Sequence, residues 1–431
     1  MARRRRRPVS IGTYLMLTIA AATIALSGWI FLRLAGDLND ITIDTASIIQ
    51  SLVVSSSDQP AATSINYSVV TAPEPTPSPT PAPPPESKRL TLTAGGQIYL
   101  DSTLRKAGLN DGGYYFDDIF AQITPYMNKS DITMVTLEST VTESGSYGTY
   151  IAPAAILSAL KTAGVDIINL ATERILDGGL NGLATTRTIA EQLGFSVTGA
   201  HRSADEQRLP LTFEVNGIKV AVLSYTYGLS SEGDKKGSSS DRAIAVNIMN
   251  AETIRADVMQ ARNLGANLVI VNTHWGKRAD TKAGSQQTRL IDNIIDCGAD
   301  LILGTHPLTV HKFDKQTLVC ADGVTRDVFV AYSLGDFMVN ERSSSAEVTG
   351  VLLTLEYELA DSASSVTLKN STYMPTWLMR WETDKYYYKI IPAGTTSKPE
   401  VMTDTIYRNM RRAYEDLLKK NGSDFALPIP E

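Results

Sequence analysis

From residue 88 onward the sequence predicts an α/β fold of layered sheet flanked by helices. Two observations predict it: short apolar runs alternate with segments of helical period, and several of those segments stop at a glycine suited to a C-terminal cap. In chain order the buried strands are LTLTA (90–94), ITMVTLE (132–138), VDIINLA (165–171), KVAVLSYTY (219–227), NLVIVNTH (267–274) and DLILGTH (300–306). Between them APAAILSALKTAG, LATTRTIAEQLG, AETIRADVMQARNLG and QTRLIDNIIDCG read as helices. Asn216-Gly217 marks a hairpin. After Ala331 the strands lengthen toward an antiparallel texture (VTGVLLTLEYELA, SVTLKNSTYMPTWLM, KYYYKIIPA), and a last amphipathic helix is expected near residues 402–420. The compact domain is expected over 88–375, with 376–431 as a C-terminal extension carrying that helix.

Ahead of the domain, residues 1–10 form a basic arm with Arg3 to Arg7, and 11–34 read as a transmembrane anchor. The run from Ile11 to Leu32 carries no charge, and about 20 apolar residues suffice to cross the hydrocarbon core as a helix. The arginines hold the N-terminus in the cytoplasm and place the remainder outside it. A cleaved signal peptide is the alternative, but its apolar core is typically about 7–15 residues. Residues 35–70 show no sustained period and serve as a juxtamembrane connector. Residues 71–87, TAPEPTPSPTPAPPPES, form a Pro-rich linker: a stiff polyproline II spacer reaching on the order of 50 Å.

Charge narrows the partners. The chain carries 46 acidic and 40 basic residues, five of the latter in the arm, so the exported part is acidic. Nucleic-acid binding leans on clustered Lys and Arg, and is excluded as a function. Cys297 and Cys320 make no disulfide framework and no Cys-x-x-Cys pair; they read either as one bridge or as two buried thiols.

In α/β sheets, ligand groups gather in loops beyond the carboxyl ends of strands. Here Gly95-Gly96 follows the first strand, Glu138 ends the second, Thr172-Glu173-Arg174 follows the third, His274 ends the fifth and His306 the sixth. Two of the four histidines in the chain thus terminate consecutive strands, beside a glutamate. His201 and His311 read as surface or core residues without a role.

These residues resemble the bacterial CapA-type poly-gamma-glutamate capsule biosynthesis proteins, a family with a calcineurin-like metallophosphoesterase fold. The resemblance covers roughly residues 90 to 340 and rests on THWG (273–276), GADLILGTHPLTVH (298–311), YSLGDF (332–337), NLATERILDGGLNGL (169–183) and TLEST (136–140). It implies a layered β-sandwich flanked by helices. Three family positions depart from the pattern. Gly95-Gly96 stands for Gly-Asp, Ala171-Thr172-Glu173-Arg174 for Ala-Asn-Asn-His, and His306-Pro307-Leu308 for His-Pro-His. If ligands divide as in related two-metal phosphoesterases, Gly96 and Leu308 vacate one metal position. Glu138, Glu173, His274 and His306 would then surround the other as a single site for zinc or manganese; a decayed pocket is the alternative. Arg174 cannot release a proton near neutral pH, but its guanidinium suits an anionic substrate. Arg174 and His274 are therefore the expected catalytic residues, and Arg174 the substrate-binding one. Asp101 reads as a turn carboxylate or a substitute ligand, and Asp177 and Asp336 as structural.

The resemblance implies a membrane-anchored, extracytoplasmic protein acting on an anionic surface polymer such as poly-gamma-glutamate. Its role would be assembly, retention or processing beside envelope assembly proteins, with phosphatase activity weakened or absent. Two alternatives stand beside this one: an active metal-dependent phosphoesterase with a rebuilt mononuclear site, and a non-catalytic envelope scaffold.

Overall fold

The computed structural model describes residues 87–143, 151–361 and 363–423. The basic arm, the expected anchor, the connector and all but the last residue of the Pro-rich linker lie outside the described residues. Among those described, no helix is long and apolar enough to cross a membrane.

Two mixed sheets make the body. In the first, the strands Lys88–Ile98, Ile132–Leu137, Ile167–Asn169 and Ser196–Thr198 pair parallel in that order. On the other side of Lys88–Ile98 the strands Thr349–Leu359, Thr367–Glu382 and Tyr386–Pro392 continue antiparallel. In the second sheet, Ile218–Thr226, Leu268–His274, Leu301–Thr305 and Thr325–Ala331 run parallel, with antiparallel edges at Leu211–Val215 and Phe313–Val319. The Asn216-Gly217 hairpin forms as expected, both residues taking positive φ (52° and 73°) as a two-residue turn of right-twisted strands requires.

Side-chain alternation along the strands builds the layers. Ile132 and Met134 face the core between the sheets, joined there by Leu90, Leu92, Ala94, Val220, Leu268, Ile270, Leu301 and Leu303. Val135 and Leu137 face the other way, into a core closed by the helices Ala155–Thr162 and Gly179–Gln192. On the outer face of the second sheet, Val269 and Val271 meet Ile254 and Val258 of Ala251–Asn263 and Ile291 and Ile294 of Ser285–Asp296. Each such side chain contributes roughly 1.5–3 kcal/mol when fully buried.

Residue 375, the expected end of the domain, falls inside Thr367–Glu382, which pairs with Thr349–Leu359 across that position and with Tyr386–Pro392 from Thr376 onward. The residues beyond it complete the first sheet. The final helix, Asp404–Asn421, buries Met410 and Leu417, and Leu417 reaches the core between the sheets. Cys297 and Cys320 are both buried free thiols.

Candidate metal centre and its surroundings

The site grows out of strand parity. In Ile132–Leu137 the face that is apolar at residues 132 and 134 turns polar at Thr136 and, one step past the strand, at Glu138. In Leu268–His274 the same face runs Leu268, Ile270, Asn272, His274. Both strands thus carry apolar residues into the sandwich and end on a ligand-type side chain at its carboxyl edge, as parallel α/β sheets do. The polar layer is satisfied: Asn169 Nδ2 donates to Thr136 Oγ1 (3.1 Å), and Asn272 Nδ2 to Ser224 Oγ (3.0 Å).

Glu138, Glu173, His274 and His306 converge there, one ligand atom from each lying within 4.8 Å of all the others. His274 Nε2 is 3.5 Å from Glu138 Oε1, and His306 Nδ1 is 3.6 Å from Glu173 Oε2. Ligands about 2.0–2.2 Å from a tetrahedral zinc ion lie roughly 3.3–3.6 Å apart, so both separations suit a shared ion. His274 Nδ1 hydrogen-bonds Thr305 Oγ1 (3.2 Å), which turns Nε2 toward the cluster. Three buried atoms, Glu138 Oε1, His274 Nε2 and His306 Nδ1, have no hydrogen-bond partner. Orphaned buried polar atoms are costly, and three aimed at one another fit a cation that would satisfy them together.

Burial acts in opposite directions on the carboxylate and the imidazoles of the cluster, disfavouring charge on each in the absence of a cation. Burial pushes the Glu138 carboxyl up to about 7, and burial pushes the His274 imidazole down to about 3. His306 is lowered first by burial and then by His274. For Glu173 burial acts upward, but the Tyr227 hydroxyl, donating at 2.8 Å, together with His306 and Arg174 holds the carboxyl below its ordinary value. Neutral imidazoles are the form that ligates metal. The Tyr227 ring covers the pair, 6.2 Å from the His274 ring and 5.0 Å from that of His306.

Several expected residues stand elsewhere. Gly96 does not mark the end of the first strand, which runs on to Ile98, and a Cβ at Gly96 would meet the Gly335 carbonyl oxygen. A register irregularity between Ala94 and Gln97 flips the parity of the strand, so that Gln97 is the residue turned to the site. Sequence reading missed Gln97, because period-two counting steps over the irregularity. Leu308 packs with Tyr99 and Val339 in a small apolar cluster. Asp101 caps the helix Ser102–Ala107, accepting from the Thr103 and Leu104 amides. Asp177 accepts from Ser230 and pairs with Arg174; Asp336 is buried, its carboxyl pushed well up by burial.

Arg174 lies beside the cluster, enclosed by carboxylates: Glu138 at 4.0 Å, Glu173 at 3.9 Å and Asp177 at 3.5 Å. A second guanidinium, unremarked in the sequence, comes from the turn after His274. Arg278 pairs with Glu341 at 2.8 Å, lies over the Tyr99 ring, and its charge bears on Glu138, His274 and His306.

A two-sheet α/β sandwich with carboxylates and imidazoles gathered at the ends of its parallel strands defines a metallophosphoesterase-like class of protein. Within that class the chain belongs to the family described as bacterial capsule synthesis protein PGA_cap, which residues 91–341 match, more than half of the chain. It is 26% identical over 296 residues to the capsule biosynthesis protein CapA of Bacillus anthracis, covering 65% of this chain and 66% of that one. It is 23% identical over 232 residues to the PGA biosynthesis protein CapA of Bacillus subtilis (strain 168), covering 52% and 57%. The matches thus span less than two thirds of the length of either relative. A hypothetical protein from Thermus thermophilus aligns over 66% of this chain and 98% of its own at 13% identity, with a TM-score of 0.36, and nothing rests on that likeness.

Proposed function

We propose that this chain is a membrane-tethered, extracytoplasmic protein that assembles, retains or processes a capsule polymer of the poly-gamma-glutamate type. It would use one divalent ion, zinc or manganese, held by Glu138, Glu173, His274 and His306. The observation that carries this reading is the convergence of three orphaned buried ligand atoms with Glu173, within a family of capsule synthesis proteins. When bound, such an ion supplies Lewis acidity. The chain's own residues shape what it acts on: Thr305 orients the His274 ring, Tyr227 anchors Glu173 and covers the imidazoles, and guanidinium groups attract an anionic polymer.

Phosphatase activity is weak or absent in this reading, since a two-metal clamp needs a second set of ligands. At that position the Gln97 amide is engaged at both ends and Leu308 packs against apolar neighbours. Membrane attachment rests on the uncharged run behind five arginines.

The test is metal analysis of the purified full chain. One equivalent of zinc or manganese is expected in the wild type, and little in His274→Ala or His306→Ala. No metal in the wild type, or equal metal in the variants, overturns the site. The carboxylate of Glu173 within the quartet favours a second reading, an active mononuclear hydrolase; turnover of a generic phosphodiester that stops with chelator would select it. Retained polymer assembly after all four ligands are replaced would leave a scaffold.

A further inference from the structure

Two guanidinium groups stand near the cluster, Arg174 in contact with it and Arg278 on the segment hydrogen-bonded to the His306 loop, and their surroundings differ. Arg174 faces three carboxylates within 4.0 Å and its side chain is 19% exposed. An incoming anion would have to displace carboxylates that belong to the cluster itself. Arg278 is 32% exposed, and among the described residues its ion pair is with Glu341, which is itself 41% exposed and lies outside the cluster. A half-buried pair open to water on one side is screened, so another anion can compete for its guanidinium.

The main chain beneath Arg278 is fixed against the His306 loop. The Ala279 N–H donates to the Pro307 carbonyl at 2.8 Å, and the Asp280 carbonyl accepts from His311 Nε2 at 2.8 Å and from the Thr309 hydroxyl. On the other side, buried Trp275 is held through Nε1 to the Tyr332 carbonyl at 2.9 Å. Tyr99 supports the guanidinium from below and donates its hydroxyl to Glu341 at 2.9 Å. A preorganised backbone thus carries a side chain whose ionic partner is half-exposed and lies outside the cluster, four residues from His274 in sequence and tied by Ala279 to the loop that carries His306. That is the arrangement of a receptor whose resting partner is a stand-in.

We propose that Arg278, not Arg174, receives the oxyanion of the substrate beside the cluster, exchanging Glu341 for a carboxylate or phosphate held in two-pronged fashion. Arg174 instead balances the carboxylates of the cluster. This assignment deepens the functional reading above and rests on it for the nature of the polymer.

The experiment is calorimetric titration of the manganese-loaded full chain in detergent. A short γ-linked glutamate oligomer is the probe in one arm and inorganic phosphate in the other, with metal content measured alongside. Arg278→Ala is expected to weaken binding roughly tenfold or more while leaving the metal in place, as loss of a hydrogen bond to a charged group does. Glu341→Gln is expected to tighten it, because it removes the competitor; a merely structural role would not produce that opposite sign. Should Arg278→Ala fail to fold, Arg278→Lys, which keeps the charge and loses the fork, carries the same comparison. Wild-type affinity in the Arg278 variants, or weakened binding in Glu341→Gln, overturns the proposal, as does a wild type that binds neither probe. Binding of phosphate alone, with the same dependence on Arg278 and Glu341, upholds the receptor and removes the polymer reading instead.

Discussion

Gln97 ties two members of the cluster together with a single side chain. Its Nε2 donates to Glu138 Oε2 and its Oε1 accepts the main-chain N–H of His306 at 2.9 Å. His306 sits at a φ of 95°, a region that costs a non-glycine residue energy and persists only where neighbours impose it. Gln97→Leu is therefore expected to weaken metal binding roughly 10–100-fold, as loss of an outer-shell partner does, with the fold retained; competition with a metal indicator measures it. His201 shows the same physics away from the centre. It lines a cavity of about 400 Å³, and burial, aided by Arg187, lowers its imidazole to about 4. The unfolded chain, with an ordinary histidine near 6.5, binds the proton more tightly. This contribution is thus complete above pH 6.5 and lost as pH falls toward 4, by roughly 1–3 kcal/mol. His201→Gln should flatten that part of the stability profile in denaturant melts taken from pH 4 to 7; an unchanged profile would refute the assignment.

The strand Lys88–Ile98 decides which side chain the site receives. Alternation places Leu90, Leu92 and Ala94 between the sheets, and the irregularity at Gly95-Gly96 resets the count so that Gln97 continues that face. Gly96 is a backbone contact, closed by the Gly335 carbonyl. Gly96→Asp should consequently add no metal and should lower the melting midpoint, since its Cβ must push the 335 segment aside; overpacking of this kind costs about 1–3 kcal/mol. A gain of a second metal equivalent would show the opposite. Glu138, His274 and His306 were legible as site residues because each sits at or one step past the end of an apolar run of unbroken period, and a polar residue there has few other reasons to be buried. Gln97 was not legible, because a bulge leaves no mark in composition beyond two glycines. Arg278 lies in a turn, where an arginine is unremarkable until its neighbours are known.

Across the whole molecule, the C-terminal helix is part of the sandwich. Leu417 enters the core between the sheets, the Tyr373 hydroxyl donates to the Gly422 carbonyl at 2.7 Å, and the Phe313 N–H to Asn421 Oδ1 at 2.8 Å. Tyr373 belongs to the first sheet and Phe313 to the second, so the helix end bridges both. Leu417→Ala is expected to destabilise the entire domain by roughly 2–4 kcal/mol, seen as one shifted transition in denaturant; an unshifted main transition would make the helix an appendage. By itself the sequence determined the α/β class, the family and the four ligand candidates. Glu138, His274 and His306 came from strand-end polarity and Glu173 from the resemblance, because hydrophobic period and motif order are local properties. Only the tertiary structure decided that the four converge, that Gln97 turns to the site, that Arg174 is enclosed by carboxylates while Arg278 is the more exposed, and that the last helix seals the core. Those outcomes depend on distances between residues far apart in the chain, and no local pattern records which of two arginines will find three carboxylates around it.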